Sequence, residues 1–211
     1  MMRIRAVILA AGQGTRMRSA LPKVLHPLVG RPMLQYAIDA VQRDLQGKPV
    51  VVVGHGAEQI RHSFRDQVEF VSQEPQLGTA HAVQQAEPLL KGQADLILVT
   101  YGDMPLLTAE MIDRIVQAQS IHSGPMTMLT MIGTDPRGFG RVIRNEKGTV
   151  QAIVEEAQAS PEQLAVRELN PGVYCFSADW LWDALRRIQV SPKGEYYLTD
   201  ICEIANQKGM K

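Results

Sequence analysis

The chain has 211 residues, equal numbers of basic (22) and acidic (22) side chains, and is 45% apolar and 21% charged. That length suits one domain with a full hydrophobic core, and the composition excludes disorder, collagen and coiled coil. The zero charge sum removes any global attraction to nucleic acid, and no apolar run approaches the roughly 18 residues of a membrane span.

Arg3 and Arg5 precede the apolar run Ala6–Ala11, which superficially resembles a secretory signal. The run falls short of a signal core of roughly 7–15 residues, and Gly12-Gln13-Gly14 follows at once. It reads instead as a buried first strand, Ile4–Leu9, in a cytoplasmic protein with Cys175 and Cys202 reduced. A helix over Met33–Asp44 follows, with Leu34, Ala37, Ile38 and Val41 on one face. Then come a strand at Val50–Val53, a helix at Ala57–Phe64 and a strand at Val68–Val71. A helix at Thr79–Leu90, a strand at Leu96–Thr100 and a helix at Thr108–Ser120, capped by Thr108, complete this alternation. Beyond it, strands are predicted at Met126–Ile132, Arg141–Arg144, Val150–Val154 and Val173–Phe176, and helices at Ala178–Ile188 and Thr199–Gln207.

Unbroken β-branched runs mark strands covered on both faces, and strand–helix alternation marks a doubly wound α/β fold with a mostly parallel sheet. One domain is therefore expected, with residues 121–211 forming a second half built onto the same sheet as residues 1–120. Two distant cysteines and five scattered histidines have no zinc-ligand spacing, so neither a disulfide nor a zinc site is expected.

The first strand runs into Leu9-Ala10-Ala11-Gly12-Gln13-Gly14-Thr15-Arg16-Met17. Small residues and glycines there let the backbone approach a ligand, and N–H groups at a strand-to-helix turn cradle phosphate. A Rossmann fingerprint would need a third glycine at Met17, and no Walker A motif is present. Arg16 and Lys23 follow closely and could neutralise a polyphosphate. Asp103, at the carboxyl end of the Leu96–Thr100 strand, stands where ligands of open α/β sheets bind and is placed to hold Mg²⁺ against phosphates. Taken singly, each has a plainer reading: a turn, a solvated cation, an Asp opening a turn before Pro105.

Together these residues are similar to a known pattern. Leu9–Met33 (LAAGQGTRMRSALPKVLHPLVGRPM) resembles the signature of the bacterial N-acetylglucosamine-1-phosphate uridylyltransferases. The likeness continues at Gln73–Ala82 (QEPQLGTAHA), Tyr101–Leu106 (YGDMPL), Gly138–Arg144 (GFGRVIR), Ile153–Glu155, Asn170–Gly172 and Gly194–Asp200 (GEYYLTD). It implies a three-layer α/β/α, Rossmann-like nucleotidyltransferase fold of glycosyltransferase-A type. It also implies Mg²⁺-dependent transfer of UMP from UTP to N-acetylglucosamine 1-phosphate, giving UDP-GlcNAc, a cell-wall precursor, and pyrophosphate. Leu9, Ala10, Ala11, Gly12 and Gly14 would hold the nucleotide with Gln73, Gly78, Thr79 and Tyr101. Gln73 can offer a donor and an acceptor to a uracil edge, and Gly78 would let the backbone reach the base. Arg16 and Lys23 would grip the phosphates and Asp103 the Mg²⁺. Gly140, Glu155, Asn170, Tyr197 and Thr199 would serve the sugar phosphate. Neither nucleic acid nor membrane is an expected partner.

The chain also departs from that family. The family's second Mg²⁺ ligand, an asparagine, and its acetyltransferase domain lie beyond Lys211, so the material is a fragment or completes its metal site differently. Glu155-Glu156-Ala157-Gln158-Ala159 lacks the family's Lys and Asp, and Pro171 replaces a small Thr or Ser. Alternatives are therefore another sugar 1-phosphate or nucleotide, a domain that binds nucleotide sugars without catalysis, or an inactive half of a larger enzyme.

Overall fold

The computed structural model describes residues 2–207. In chain order the strands are β1 (Ile4–Ala10), β2 (Pro27–Leu28), β3 (Arg31–Pro32), β4 (Val50–Val53), β5 (Glu69–Ser72), β6 (Leu96–Tyr101), β7 (Met126–Met128), β8 (Met131–Ile132), β9 (Gly140–Arg144), β10 (Val150–Val154), β11 (Glu168–Asn170) and β12 (Tyr174–Ser177). The helices are α1 (Met33–Val41), α2 (Ala57–Phe64), α3 (Thr79–Gln84), α4 (Glu87–Leu90), α5 (Ala109–Ile121), α6 (Pro161–Leu164), α7 (Ala178–Leu185) and α8 (Ile201–Gln207).

The central six-stranded sheet has the order β5-β4-β1-β6-β12-β7. Strands β5, β4, β1 and β6 are parallel, and β12 runs antiparallel to both neighbours. In register, Leu9 of β1 lies between Val52 of β4 and Tyr101 of β6, so the carboxyl ends of β1 and β6 meet at one edge. Side chains alternate across the sheet. Val7 and Leu9 face a layer that contains Val83, Leu181, Trp182 and Ile201. Ala6 and Ile8 face Leu34, Ile38, Ile60 and Ile115. Helices thus cover both faces, and the three-layer α/β/α architecture with a mostly parallel sheet stands as predicted. Thr108 caps α5 by accepting from Met111 N at 3.3 Å. Among the described residues, no helix is long and apolar enough to cross a membrane.

The second half differs from the expectation of one continuous sheet. Only β7 and β12 join the central sheet; β10-β9-β11-β8 form a separate four-stranded antiparallel sheet. The expected strand Met126–Ile132 is split between the two, because Leu129 N is held by Val173 O at 3.0 Å just where the chain leaves β7. The expected helix Thr79–Leu90 is also split. Pro88 stands in the first turn of α4, where its missing N–H costs nothing, whereas a continuous helix would lose a bond there. Strand β5 begins one residue later than Val68 and α8 two residues later than Thr199, after a 3₁₀ turn over Leu198–Asp200. The hairpin β2–β3, strand β11 and helix α6 carry too few residues for a periodic signal.

Candidate active site

A cleft of about 720 Å³ opens beyond the carboxyl ends of β1 and β6. Its floor follows from the parallel register, since Gly102 N donates to Leu9 O at 2.9 Å and carries the β6 exit alongside the β1 exit. Gly102 is tightly enclosed, and a Cβ there would stand 3.0 Å from Leu34 Cδ1 and 3.2 Å from Val24 Cγ1.

The β1 exit turns through Ala11–Gly14 into a short 3₁₀ turn, Thr15–Met17, flanked by left-handed Gly14 (φ 61°) and Arg18 (φ 49°). A Cβ on Gly14 would lie 2.8 Å from Lys23 Cβ, so this glycine brings Lys23 against the loop. Lys23 Nζ and Asp103 Oδ2 form an ion pair across the cleft. Arg16 lines the same cleft. The cation and the carboxylate expected to meet phosphate and metal are thus opposed at the end of the sheet. Among the described residues, no three potential metal-ligating side chains come together; Asp103 and Glu195 are the carboxylates that line the cleft, and Asp103 is the one paired with Lys23.

The opposite wall is the segment Gln73–Thr79. Gln73 is buried, with its Nε2 donating to Gly78 O at 2.8 Å and lying 3.2 Å from His81 Nδ1. Its donor is therefore engaged inside the protein, and only Oε1 is left to offer. Gly78 has φ 100° and ψ 178°, and a Cβ there would meet Tyr196 O at 2.6 Å and Tyr196 N at 2.7 Å. The glycine is thus required first by the Tyr196 backbone. Around it, Tyr196 N donates to Leu77 O at 2.8 Å and Ala80 N to Tyr196 O at 2.9 Å. Leu198 N donates to Thr79 Oγ1 at 2.9 Å. These bonds stitch residues 195–199 to the Gln73–Thr79 wall.

Tyr101 is enclosed below Asp103. Burial, then the nearby Glu155 and Asp103 charges, push its hydroxyl far above the ordinary tyrosine range, partly offset by a bond with Thr79. Gly172 (φ 86°) makes room for this ring, because a Cβ there would overlap Tyr101 Cε2.

Leu9, Ala10, Ala11, Gly12, Gly14, Arg16, Lys23, Gln73, Gly78, Thr79, Tyr101, Asp103 and Tyr197 all line the cleft. Gly140, Glu155, Asn170 and Thr199 are absent from its lining. Glu155 Oε1 accepts from Thr199 Oγ1 at 3.1 Å, and burial raises its carboxyl above the usual range. Glu156 diverges, accepting from Gly138 N at 2.9 Å and lying 3.5 Å from the buried Arg141; both glutamates lie beyond the end of β10, and Glu156 opens a 3₁₀ turn over Glu156–Gln158. Asn170 is spent internally: its Nδ2 donates to Tyr174 Oη at 2.6 Å and its Oδ1 accepts from Gly172 N at 3.0 Å. Gly140 is close-packed, with a Cβ position 3.0 Å from Ile153 Cγ2.

Sequence reasoning assigned no role to Gln76 or Glu195, both of which line the cleft. Gln76 donates from Nε2 to Ala11 O at 2.6 Å; its signal was a second glutamine three residues after Gln73. Glu195 lies within Gly194–Asp200, but an exposed acid beside a turn glycine looks like ordinary surface.

The chain is 46% identical over 205 residues to bifunctional protein GlmU of Shouchella clausii, covering 97% of this chain and 45% of that protein. It is 48% identical over 210 residues to bifunctional protein GlmU of Pelotomaculum thermopropionicum, covering 99% and 46% respectively. The chain thus spans about half the length of the curated relatives it matches. A solved UDP-glucose pyrophosphorylase complexed with UDP-glucose superposes with a TM-score of 0.74 at 17% identity, over 99% of this chain and 88% of that one; at that identity the likeness is one of fold. Residues 6–201 match the family described as the MobA-like NTP transferase domain, and the chain belongs to that family.

Proposed function

We propose that this chain is a metal-dependent sugar-1-phosphate uridylyltransferase. It transfers UMP from UTP to N-acetylglucosamine 1-phosphate in the cytoplasm, with Mg²⁺ as the metal. The observation that carries the reading is the Lys23–Asp103 pair at the joined carboxyl ends of β1 and β6, with Arg16 on the same cleft. The similarity to GlmU proteins along 97% of the chain supports the substrates.

In the reaction, a phosphate oxygen of the sugar 1-phosphate attacks the α-phosphorus of UTP. The bond from that phosphorus to the bridging oxygen breaks, and pyrophosphate leaves with its electron pair. No protein nucleophile is required. Arg16 and Lys23 hold the triphosphate in line and neutralise charge that grows on the leaving group. Residues 1–120 hold the nucleotide and residues 121–211 the sugar phosphate. Gly140, Glu155, Asn170 and Thr199 underlie the sugar side, with Tyr197 at the cleft. Asp103 would hold the metal by a single carboxylate. That donor set fits Mg²⁺, which keeps several waters and binds through one or two carboxylates plus substrate phosphates. Bound there, the ion supplies charge neutralisation at the α-phosphate and the pyrophosphate.

The test is pyrophosphate release from UTP and N-acetylglucosamine 1-phosphate with and without Mg²⁺. Asp103→Ala and Lys23→Ala should each slow release by roughly 10²–10³-fold. Their unfolding midpoints should hardly move, since a partly exposed ion pair is worth about 0–1 kcal/mol. Release that ignores both metal and Asp103 sinks the mechanism. UDP-GlcNAc binding without release would favour a binding domain.

A further inference from the structure

Gln76 belongs to the Gln73–Thr79 wall, yet its amide reaches the opposite wall. Its Nε2 donates to Ala11 O at 2.6 Å, and His55 N donates to the same oxygen at 3.2 Å. The Ala11 carbonyl is thereby held by two donors from outside its own loop. A trans peptide is planar, so its C=O and the following N–H point in opposite directions. Pinning Ala11 O fixes the direction of Gly12 N–H. That N–H finds no acceptor among the described residues. Gly12 lines the cleft, and a Cβ on it would meet nothing within 4 Å. Gly54 supports the arrangement from behind: a Cβ there would overlap Gln76 Nε2 and stand 3.0 Å from Ala11 O.

We infer that Gln76 is a positioning residue for the phosphates of the bound nucleotide. It clamps the Ala11 carbonyl so that Gly12 N–H is presented to the polyphosphate chain that Arg16 and Lys23 neutralise. The inference rests on the nucleotide reading above and adds a residue for which that reading has no role. It separates Gln76 from its neighbour Gln73, whose donor is engaged with Gly78 O. It also gives Gly54, outside the cleft lining, a reason to be glycine.

The experiment is calorimetric titration of the whole chain with UTP and, separately, with uridine. Wild type is compared with Gln76→Leu, Gly54→Ala and the double variant, each checked for an intact urea transition. Gln76→Leu keeps the bulk and removes the donor. It should weaken UTP roughly 10-fold, the worth of about one neutral hydrogen bond, and leave uridine within about 2-fold. Gly54→Ala should reproduce that pattern by displacing the Gln76 amide, and the double variant should be no weaker than the worse single, because both act through one contact. Equal weakening of UTP and uridine would place Gln76 on the nucleoside and overturn the inference. So would unchanged UTP affinity in a folded Gln76→Leu. So would multiplying losses in the double variant. A wild-type chain that binds no nucleoside triphosphate would fail earlier, overturning the nucleotide reading itself.

Discussion

Gly78→Ala should destabilise the fold and damage the cleft together. The native backbone there (φ 100°, ψ 178°) lies in a region open essentially to glycine alone, and placing alanine in it costs about 1–3 kcal/mol. The new methyl would stand 2.6 and 2.7 Å from the Tyr196 backbone O and N. Those are main-chain atoms, so one segment must withdraw. Withdrawal stretches the Leu77–Tyr196 and Ala80–Tyr196 bonds, now 2.8 and 2.9 Å, at about 1 kcal/mol each. A total of about 4 kcal/mol, with a slope of about 2 kcal/mol per molar urea, lowers the urea midpoint by about 2 M. The two walls also part, so KM for both substrates should rise. A midpoint within about 0.5 M of wild type, equivalent to about 1 kcal/mol, would show that the stitch between Gln73–Thr79 and residues 195–199 does not constrain the cleft.

Two further outcomes follow from local chemistry. Burial, then Glu203 and Glu155, raise the Asp200 carboxyl from 3.8 to about 6. Between about pH 4 and 6 the folded chain therefore binds more protons than the unfolded one, so this group's contribution to stability falls as pH rises through that window. Asp200→Asn should be more stable than wild type at pH 8 and equal to it at pH 4; urea midpoints at the two pH values decide, and no gain at pH 8 refutes the assignment. Val29 and Gly30 form the two-residue turn of the β2–β3 hairpin with φ 50° and 78°, a type I′ geometry that suits Asn-Gly. Val29 is 89% exposed and packs little, so Val29→Asn should add about 1 kcal/mol and raise Tm by about 2–4 °C. A calorimetric Tm at or below that of wild type would contradict this.

The parts of the fold legible from sequence were those that bury continuous apolar runs. Val50–Val53 is buried at every position, and the shortness of the run, its β-branched residues and the Gly54 that closes it favour a strand over a buried helix segment. Strand β11 offers only Glu168, Leu169 and Asn170, and its strand character comes from pairing with β8 and β9 across the second sheet. Residue spacing has no access to that. The same divide runs through the site. Gly14, Lys23 and Asp103 announce themselves by chemistry at strand exits. The importance of Gln76 lies in which carbonyl it reaches, 65 residues away, and that of Gly78 in the backbone it touches. Asn170, expected to serve the sugar phosphate, has both ends of its amide engaged with Tyr174 and Gly172, partners that residue spacing does not announce.

The bonds that close the cleft have a consequence for how the molecule assembles. Ala11 to Gln76 spans 65 residues, Lys23 to Asp103 spans 80, and Thr79 to Leu198 spans 119. Each closes a long loop, and loop closure must be paid before such contacts give any return. During synthesis the β1–β4 pairing can form early, but the last of these closures waits until Leu198 has emerged. On the proposed nucleotide reading, affinity should therefore be acquired late, when nearly the whole of residues 2–207 is in place. A ligand that binds only this finished state stabilises it by mass action, so nucleotide should slow re-opening of the chain more than it speeds the first collapse.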